Sequence, residues 1–466
     1  MSGTRKSLGN FFTLLVLFPI SVGVNIVIAR ILGPSAKGIF AFMLLMGESL
    51  VPVMFLGFGV GVIYLVGSEQ YKAKDVAITS LLIGLFKGGL ITLLLWFLWK
   101  NQWLGETAKE IPPEYMIPIL LSLPLSGMFS ISKQIFKGAS DFGILNIITL
   151  INALANALFL VIFVWITDWG LQGAVIAIIV QKVLTNGAIL VLMLRRYKPS
   201  FRINTKFIAA SYNYGIRAWL GNMATRANDR FDQIILGFFA NSTLLGYYSV
   251  AFSLVRFMGY FPQAIAPVLF NIVARSKDIK KSAQLLAQVH RSMLILVGAM
   301  VVVLALTGKW LIPTLYGEAY SSAYLPMIIM LPGMFVYAAS RRIINKFLGA
   351  NGMPEKMSIV QGVGAITGIV LYLILIPIYD IVGAAIGSSI AYIASSLTAF
   401  YFFYRIVPFG SVNMFRITLQ DLRWVIERSV SSIGFLQKIW YRITGQKPPK
   451  KEKKAPEDGE PSIPNN

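Results

Sequence analysis

Four ionisable residues, Arg226, Asp229, Arg230 and Asp232, stand inside a long apolar stretch at positions 208 to 256. Charge is expensive there, because an ionisable group in a membrane-length segment normally faces a protein interior or a water-filled path. Asn222, Arg226, Asp229, Arg230 and Gln233 recur at intervals that place them on one stripe of a helix, with Asp232 at its margin. Two kinds of chemistry fit such a stripe. Either Arg226 pairs with Asp229 one turn later and the network ties helices together, or positive charge lines a cavity for an anionic solute.

Further charges lie in other apolar runs. Arg256 has Tyr247, Tyr248 and Tyr260 around it and no acidic neighbour in its segment, and Lys87 sits between LLIGLF and GGLITLLL with no acid within a turn. Arg30 closes the first run just before Gly33 and Pro34, which favour a sharp exit into a loop that also carries Lys37. Arg30, Lys87 and Arg256, with Arg226 and Arg230, are the candidate substrate path. Glu48, Asp229 and Asp232 are candidates for charge pairing or ion coupling. Lys182, one turn before Asn186, is divided between cavity and structural roles. Thr149, Asn152 and Asn156 form a polar face that bonds sugars or joins helices. Arg341 and Arg342, near Asn345 and Lys346, read as interfacial anchors or as a cytoplasmic docking point for an anion.

Other chemistry is excluded. With no cysteine and a single histidine, His290, the chain holds no disulfide, thiolate metal site or histidine metal cluster. It has no phosphate-binding loop and no complete dinucleotide fingerprint. No catalytic residue, metal or cofactor is therefore expected, with proton or sodium coupling left open.

The elements that carry these residues are membrane helices. The chain is 56 % hydrophobic and 13 % charged, with a mean hydropathy of +0.68. Runs such as LILVGAMVVVLAL at 294 to 306 fit helices rather than the short alternating strands of a barrel. Twelve spans are predicted, the first near 11–32, the seventh near 208–238 and the twelfth near 381–405. No cleavable signal pattern opens the chain. Lysines and arginines concentrate in the connections after spans six, eight and ten, which predicts both termini on the cytoplasmic side of the plasma or inner membrane. Arg30 and Lys37, on the outer side by this count, are the exception. The net charge of +22 then belongs at an interface with anionic lipids, with no role for nucleic acid.

The chain also repeats itself. Gly138 and Ala139 match Gly349 and Ala350, Gly173 and Ala174 match Gly383 and Ala384, and ILGPSAKGIF at 31 to 40 is similar to ILGFFANSTLLGYY at 235 to 248. Six spans followed by six similar ones imply two lobes related by an axis along the membrane normal, with a substrate path between them. The shared glycines and alanines are packing and turn signals. The expected organisation is a lobe at 1–194, a cytoplasmic linker at 195–207, a second lobe at 208–405, an amphipathic surface segment at 406–446 and a disordered tail at 447–466.

ARILGPSAKGIF, NDRFDQIILGFFANSTLLGYYSVAFSL, LYGEAYSSA and GANG together resemble the polysaccharide-export flippases of the Wzx or O-antigen type, in the multidrug, oligosaccharidyl-lipid and polysaccharide exporter superfamily. The resemblance covers about residues 8 to 405. It implies an all-α, twelve-helix, MATE-like fold in two six-helix lobes. It further implies alternating access that carries polyprenyl-diphosphate-linked oligosaccharide to the outer leaflet, in company with glycan polymerase or ligase machinery. Arg30 falls in the first-helix motif, and Arg230 and Asp232 in DRFD. The alternatives are an ion-coupled multidrug antiporter, which requires an acidic cavity, a membrane glycosyltransferase, which requires a reactive centre, and a scaffold that moves nothing.

Overall fold

The apolar runs fold as helices throughout. The computed structural model describes residues 2–418 and 421 apart from 51, 52, 54 and 277, and the side chains of residues 2–18, Glu48, Asn222 and Arg226 are among those outside the description. In chain order the helices are α1 (Ser2–Leu45), α2 (Phe58–Gly67), α3 (Ala73–Lys100), α4 (Glu106–Lys109), α5 (Pro113–Leu121), α6 (Leu123–Gly138), α7 (Phe142–Leu160) and α8 (Gly170–Tyr197). They continue as α9 (Thr205–Phe239), α10 (Ser242–Arg256), α11 (Tyr260–Arg275), α12 (Ile279–Tyr316), α13 (Tyr324–Val336), α14 (Arg342–Ala350) and α15 (Pro354–Ile406). Asn204 and Asn241 cap α9 and α10 by accepting from the amides of Phe207 and Leu244.

Among the described residues, eight helices are long and apolar enough to cross a membrane. The protein is an all-α, multi-pass membrane protein. The shortfall from twelve predicted spans has physical causes. The first and last helices each contain a break, at Gly33 (φ 70°) and at Asp380 (φ 47°), α9 is diluted by Arg226, Asp229, Arg230 and Asp232, and α10 and α11 are each short, separated by a turn at Phe257–Gly259. The break at Gly33 differs from the expected loop: helix resumes at once, and Lys37 lies on a helix, 6 % exposed.

The repeated motifs explain how the helices pack. A Cβ on Gly173 would lie 2.0 Å from the Phe163 carbonyl oxygen, and one on Gly383 would lie 2.1 Å from that of Leu375. In each half, then, a glycine lets the next helix start against the backbone of the one before it. ILGPSAKGIF and ILGFFANSTLLGYY pack on each other. A Cβ on Gly38 would meet the Ser242 carbonyl oxygen at 1.7 Å, and one on Gly246 would meet that of Pro34 at 2.0 Å. The contact is reciprocal, since each glycine faces the residue four positions before its counterpart. Ser35 and Ser242 share a hydrogen bond of 2.8 Å at the same place. A second reciprocal contact joins Gly57 and Gly215, whose carbonyl oxygens lie 2.0 and 2.1 Å respectively from the other's would-be Cβ. The two reciprocal contacts form one seam, in which residues 34–57 face residues 215–246.

Residues 1–414 form one unit and 415–466 another. In the second, Asp421 accepts from the Thr418 amide and hydroxyl at 2.9 and 2.7 Å. The expected surface segment and tail otherwise fall, beyond residue 418, outside the described residues.

Candidate functional site

Two adjoining cavities share the wall made by Ser21, Asn25, Lys37, Phe40 and Leu44 of α1. The first chamber, about 680 Å³, lies among α1, the π-helical turn Met46–Leu50 that follows it, α5, α6, α7 and α8. Lys37, Lys133, Lys137 and Lys182 line it, together with the carboxamides of Asn25, Gln134, Asn152, Asn156, Gln181 and Asn186. The second, about 610 Å³, spans the seam and carries Arg230, Arg256, Gln233, Ser249, Ser253 and Tyr260. Neither chamber has an aspartate or glutamate among its described lining residues.

Lys37 sits where the chambers meet. Its Nζ donates to Asn25 Oδ1 at 2.8 Å and lies 5.7 Å from the Phe40 ring centre. Lys182 Nζ reaches Ser122 Oγ at 2.9 Å, and Lys133 stands 4.4 Å over Phe129. Gln181 bonds Asn152, so part of the asparagine face does join helices, as one of the two expected roles required. In the second chamber the Arg256 guanidinium lies 5.9 Å from the centre of the Phe252 ring. Arginine presents a planar fork of donors that matches phosphate oxygens in pairs.

Of the expected path residues, the fold brings Arg230 and Arg256 together and adds Lys182 in the neighbouring chamber. Arg30 is exposed and donates to the Thr314 carbonyl at 3.4 Å, and Lys87 is half-buried with its Nζ 5.7 Å from the Tyr212 ring; neither lines these chambers. Arg341 and Arg342 are not at an exposed interface. They stack at 4.6 and 5.1 Å on Tyr337, which in turn donates to Asp229 at 3.4 Å. His290 is fully buried between Ser340 Oγ and the Met414 carbonyl, each 2.9 Å away.

Asp232 lies behind the second chamber rather than in it. Only 1 % exposed, it accepts from Tyr248 Oη at 2.8 Å, and Tyr248 and Tyr372 each stand 3.0 Å from Ser388 Oγ. A buried carboxyl that loses its donor bears the desolvation cost of that loss. Tyr248→Phe is therefore expected to destabilise the protein by about 1–3 kcal/mol, read as a lower unfolding temperature of the purified protein in detergent.

Lys37, Lys133 and Lys137 were not candidates from sequence. A signal existed for two of them: Lys133 and Lys137 are like charges one turn apart in an apolar run, an arrangement unfavourable unless something lies between them.

Among the described residues no group of three or more histidines, cysteines or carboxylates could hold a metal ion. The fold is similar to that of solved multi-pass membrane transporters. It is similar to the lipid II flippase MurJ in an inward closed conformation, with a TM-score of 0.71 at 16 % identity, covering 95 % of this chain and all of that one. It is also similar to an inward-facing multidrug resistance MATE family transporter, with a TM-score of 0.67 at 14 % identity over 84 % of this chain and 95 % of that one. The chain belongs to the polysaccharide biosynthesis protein family, whose model matches residues 27–325. Among curated relatives it is 26 % identical, over 207 residues, to the probable flippase AglR of Haloferax volcanii, a match that spans 43 % of each chain and so less than half the length of that relative.

Proposed function

We propose that this protein is a flippase for polyprenyl-diphosphate-linked oligosaccharide, moving it from the inner to the outer leaflet. The observation that carries the reading is the pair of joined chambers lined by arginine, lysine and carboxamide with no described acid. In low dielectric a phosphate gains far more from such partners than at an exposed site. An organic cation finds no acidic partner among the described lining residues, which disfavours the multidrug antiporter.

Twelve crossings follow from the eight apolar spans when α1 and α15 are divided at Gly33 and Asp380, α9 is counted as a span despite its charge, and α10 and α11, joined by the single turn Phe257–Gly259, are counted together as one. The lobes are residues 1–194 and 208–405, and the reciprocal contacts of Gly38 with Ser242 and of Gly246 with Pro34 support their relation by a twofold pseudo-axis. Access alternates as the seam opens at one face or the other. The headgroup bridges Lys37, Arg230 and Arg256 while the lipid tail stays in the membrane. Asp232 is the acid placed to respond to a proton or sodium gradient, and anionic lipids face the basic connections.

The test is a leaflet-accessibility assay on purified protein in vesicles with a defined polyprenyl-diphosphate glycan, with and without ion gradients. Protein-dependent movement of the glycan to the opposite leaflet is expected, and its absence under every gradient sinks the reading. Orientation is checked separately. Cysteines placed at exposed Phe201 and Trp169 in this cysteine-free chain should react with an impermeant maleimide from the cytoplasmic and outer sides respectively. The reverse pattern refutes cytoplasmic termini.

A further inference from the structure

Two carboxamides in the chamber walls have their orientation fixed by a neighbour that plays a single hydrogen-bonding role. Asn25, on the wall that the chambers share, accepts from the Lys37 ammonium at 2.8 Å. An ammonium only donates, so the Asn25 oxygen is engaged and its amino group is the part that remains for a ligand. Asn186 is set the opposite way. On α8 and 2 % exposed, it gives its amino group to the Lys182 carbonyl one turn earlier, at 2.7 Å. A carbonyl only accepts, so the oxygen is what remains, and Asn186 Oδ1 has no hydrogen-bond partner.

Asn186 lines the first chamber and not the second. Buried acceptors are nearly always paired, so one left open on a cavity wall calls for a donor that arrives with the occupant. The donors in the two chambers do not discriminate between the ends of a lipid-linked glycan, because phosphate oxygens and sugar hydroxyls both accept. The acceptor does discriminate. Ionised diphosphate oxygens cannot donate and would repel Oδ1, whereas a sugar hydroxyl or the N–H of an acetamido group donates to it. On the seam side the cargo meets donors, Asn25 Nδ2 and the guanidinium groups of Arg230 and Arg256, which suit phosphate. Polarity thus gives the cargo a direction.

We propose that Asn186 is a specificity-determining residue: its oxygen accepts a hydrogen bond from a neutral donor of the glycan, which lies in the first chamber while the diphosphate stays on the seam. This rests on the flippase reading and adds to it the direction of the cargo and a residue that senses sugar rather than charge. A site built around such a bond rejects analogues that lack the donor.

The test uses proteoliposomes and a polyprenyl-diphosphate disaccharide with one acetamido group, beside analogues that each lack a single donor: a monodeoxy form for every hydroxyl and an N-methyl form for the acetamido group. Wild-type protein is expected to move one analogue at least about fivefold more slowly than the parent, as the loss of one neutral hydrogen bond requires. The position affected tells a hydroxyl from an amide. In Asn186→Leu, which keeps a similar volume without the acceptor, the parent should slow to the rate of that analogue and the difference between them should vanish. Asn186→Ala takes its place if the leucine variant elutes differently from wild type on size exclusion. A difference that persists in the variant, with parent and analogues slowed by one common factor, overturns the role given to Asn186. Equal wild-type rates across the whole series overturn it without any variant and leave the flippase reading standing. Movement of neither parent nor analogues removes the flippase reading and this assignment with it.

Discussion

Replacing Arg230 and Arg256 together by alanine is expected to lower glycan translocation by about a hundredfold, through the loss of two charge-assisted contacts of about 1.5 kcal/mol or more each. Both side chains line the seam chamber, on α9 and α10. Single variants should lose about tenfold each if the contacts act independently. Arg256→Lys keeps the charge but not the fork, so it should recover only part of the loss. Initial rates in the leaflet assay, with variants matched for reconstitution and elution, read these effects. Wild-type rates in both single alanine variants would show that the guanidinium groups do not hold the cargo.

The second large effect concerns the seam itself. Gly38→Leu places a Cβ where the Ser242 carbonyl oxygen now stands, and the obstacle is backbone rather than a side chain that can swing away. Overpacking of this kind costs about 1–3 kcal/mol or more, and the strain is removed by opening the seam at that face. The cysteine-free chain provides a direct reading. With cysteines in place of Ser35 and Ser242, whose hydroxyls are 2.8 Å apart, a disulfide should form readily, and adding Gly38→Leu should reduce its yield about tenfold. Gly246→Leu should act in the same way, because its contact with Pro34 is the counterpart of the first. Unchanged cross-linking in either variant would mean that the glycines do not control closure.

The repeated glycines show how far sequence reasoning reaches. Read as packing signals, they are packing signals: Gly173 and Gly383 lie against the preceding helix, and Gly38 and Gly246 against each other's motif. The similarity of residues 31–40 to 235–248 did not, however, say that these stretches touch. Arg230 and Arg256 were legible because a charge in an apolar run is costly enough to demand a reason. Lys37 was not, because a glycine and proline nearby suggested a loop, whereas the chain kinks at Gly33 and carries Lys37 inward. Arg341 and Arg342 show the converse, since cations that look like interfacial anchors in sequence are stacked on Tyr337.

By itself the sequence determined the all-α membrane class, the internal repeat and the exclusion of thiol and histidine metal chemistry, because these follow from composition and from the period of apolar residues. Only the tertiary structure decided which charges share a cavity. Spacing fixes which residues lie on one face of a helix, but the direction that face takes depends on kinks and on contacts between segments some two hundred positions apart. That is how the polar stripe at 226–233 came to be divided, with Arg230 facing the seam chamber and Asp232 held behind it by Tyr248.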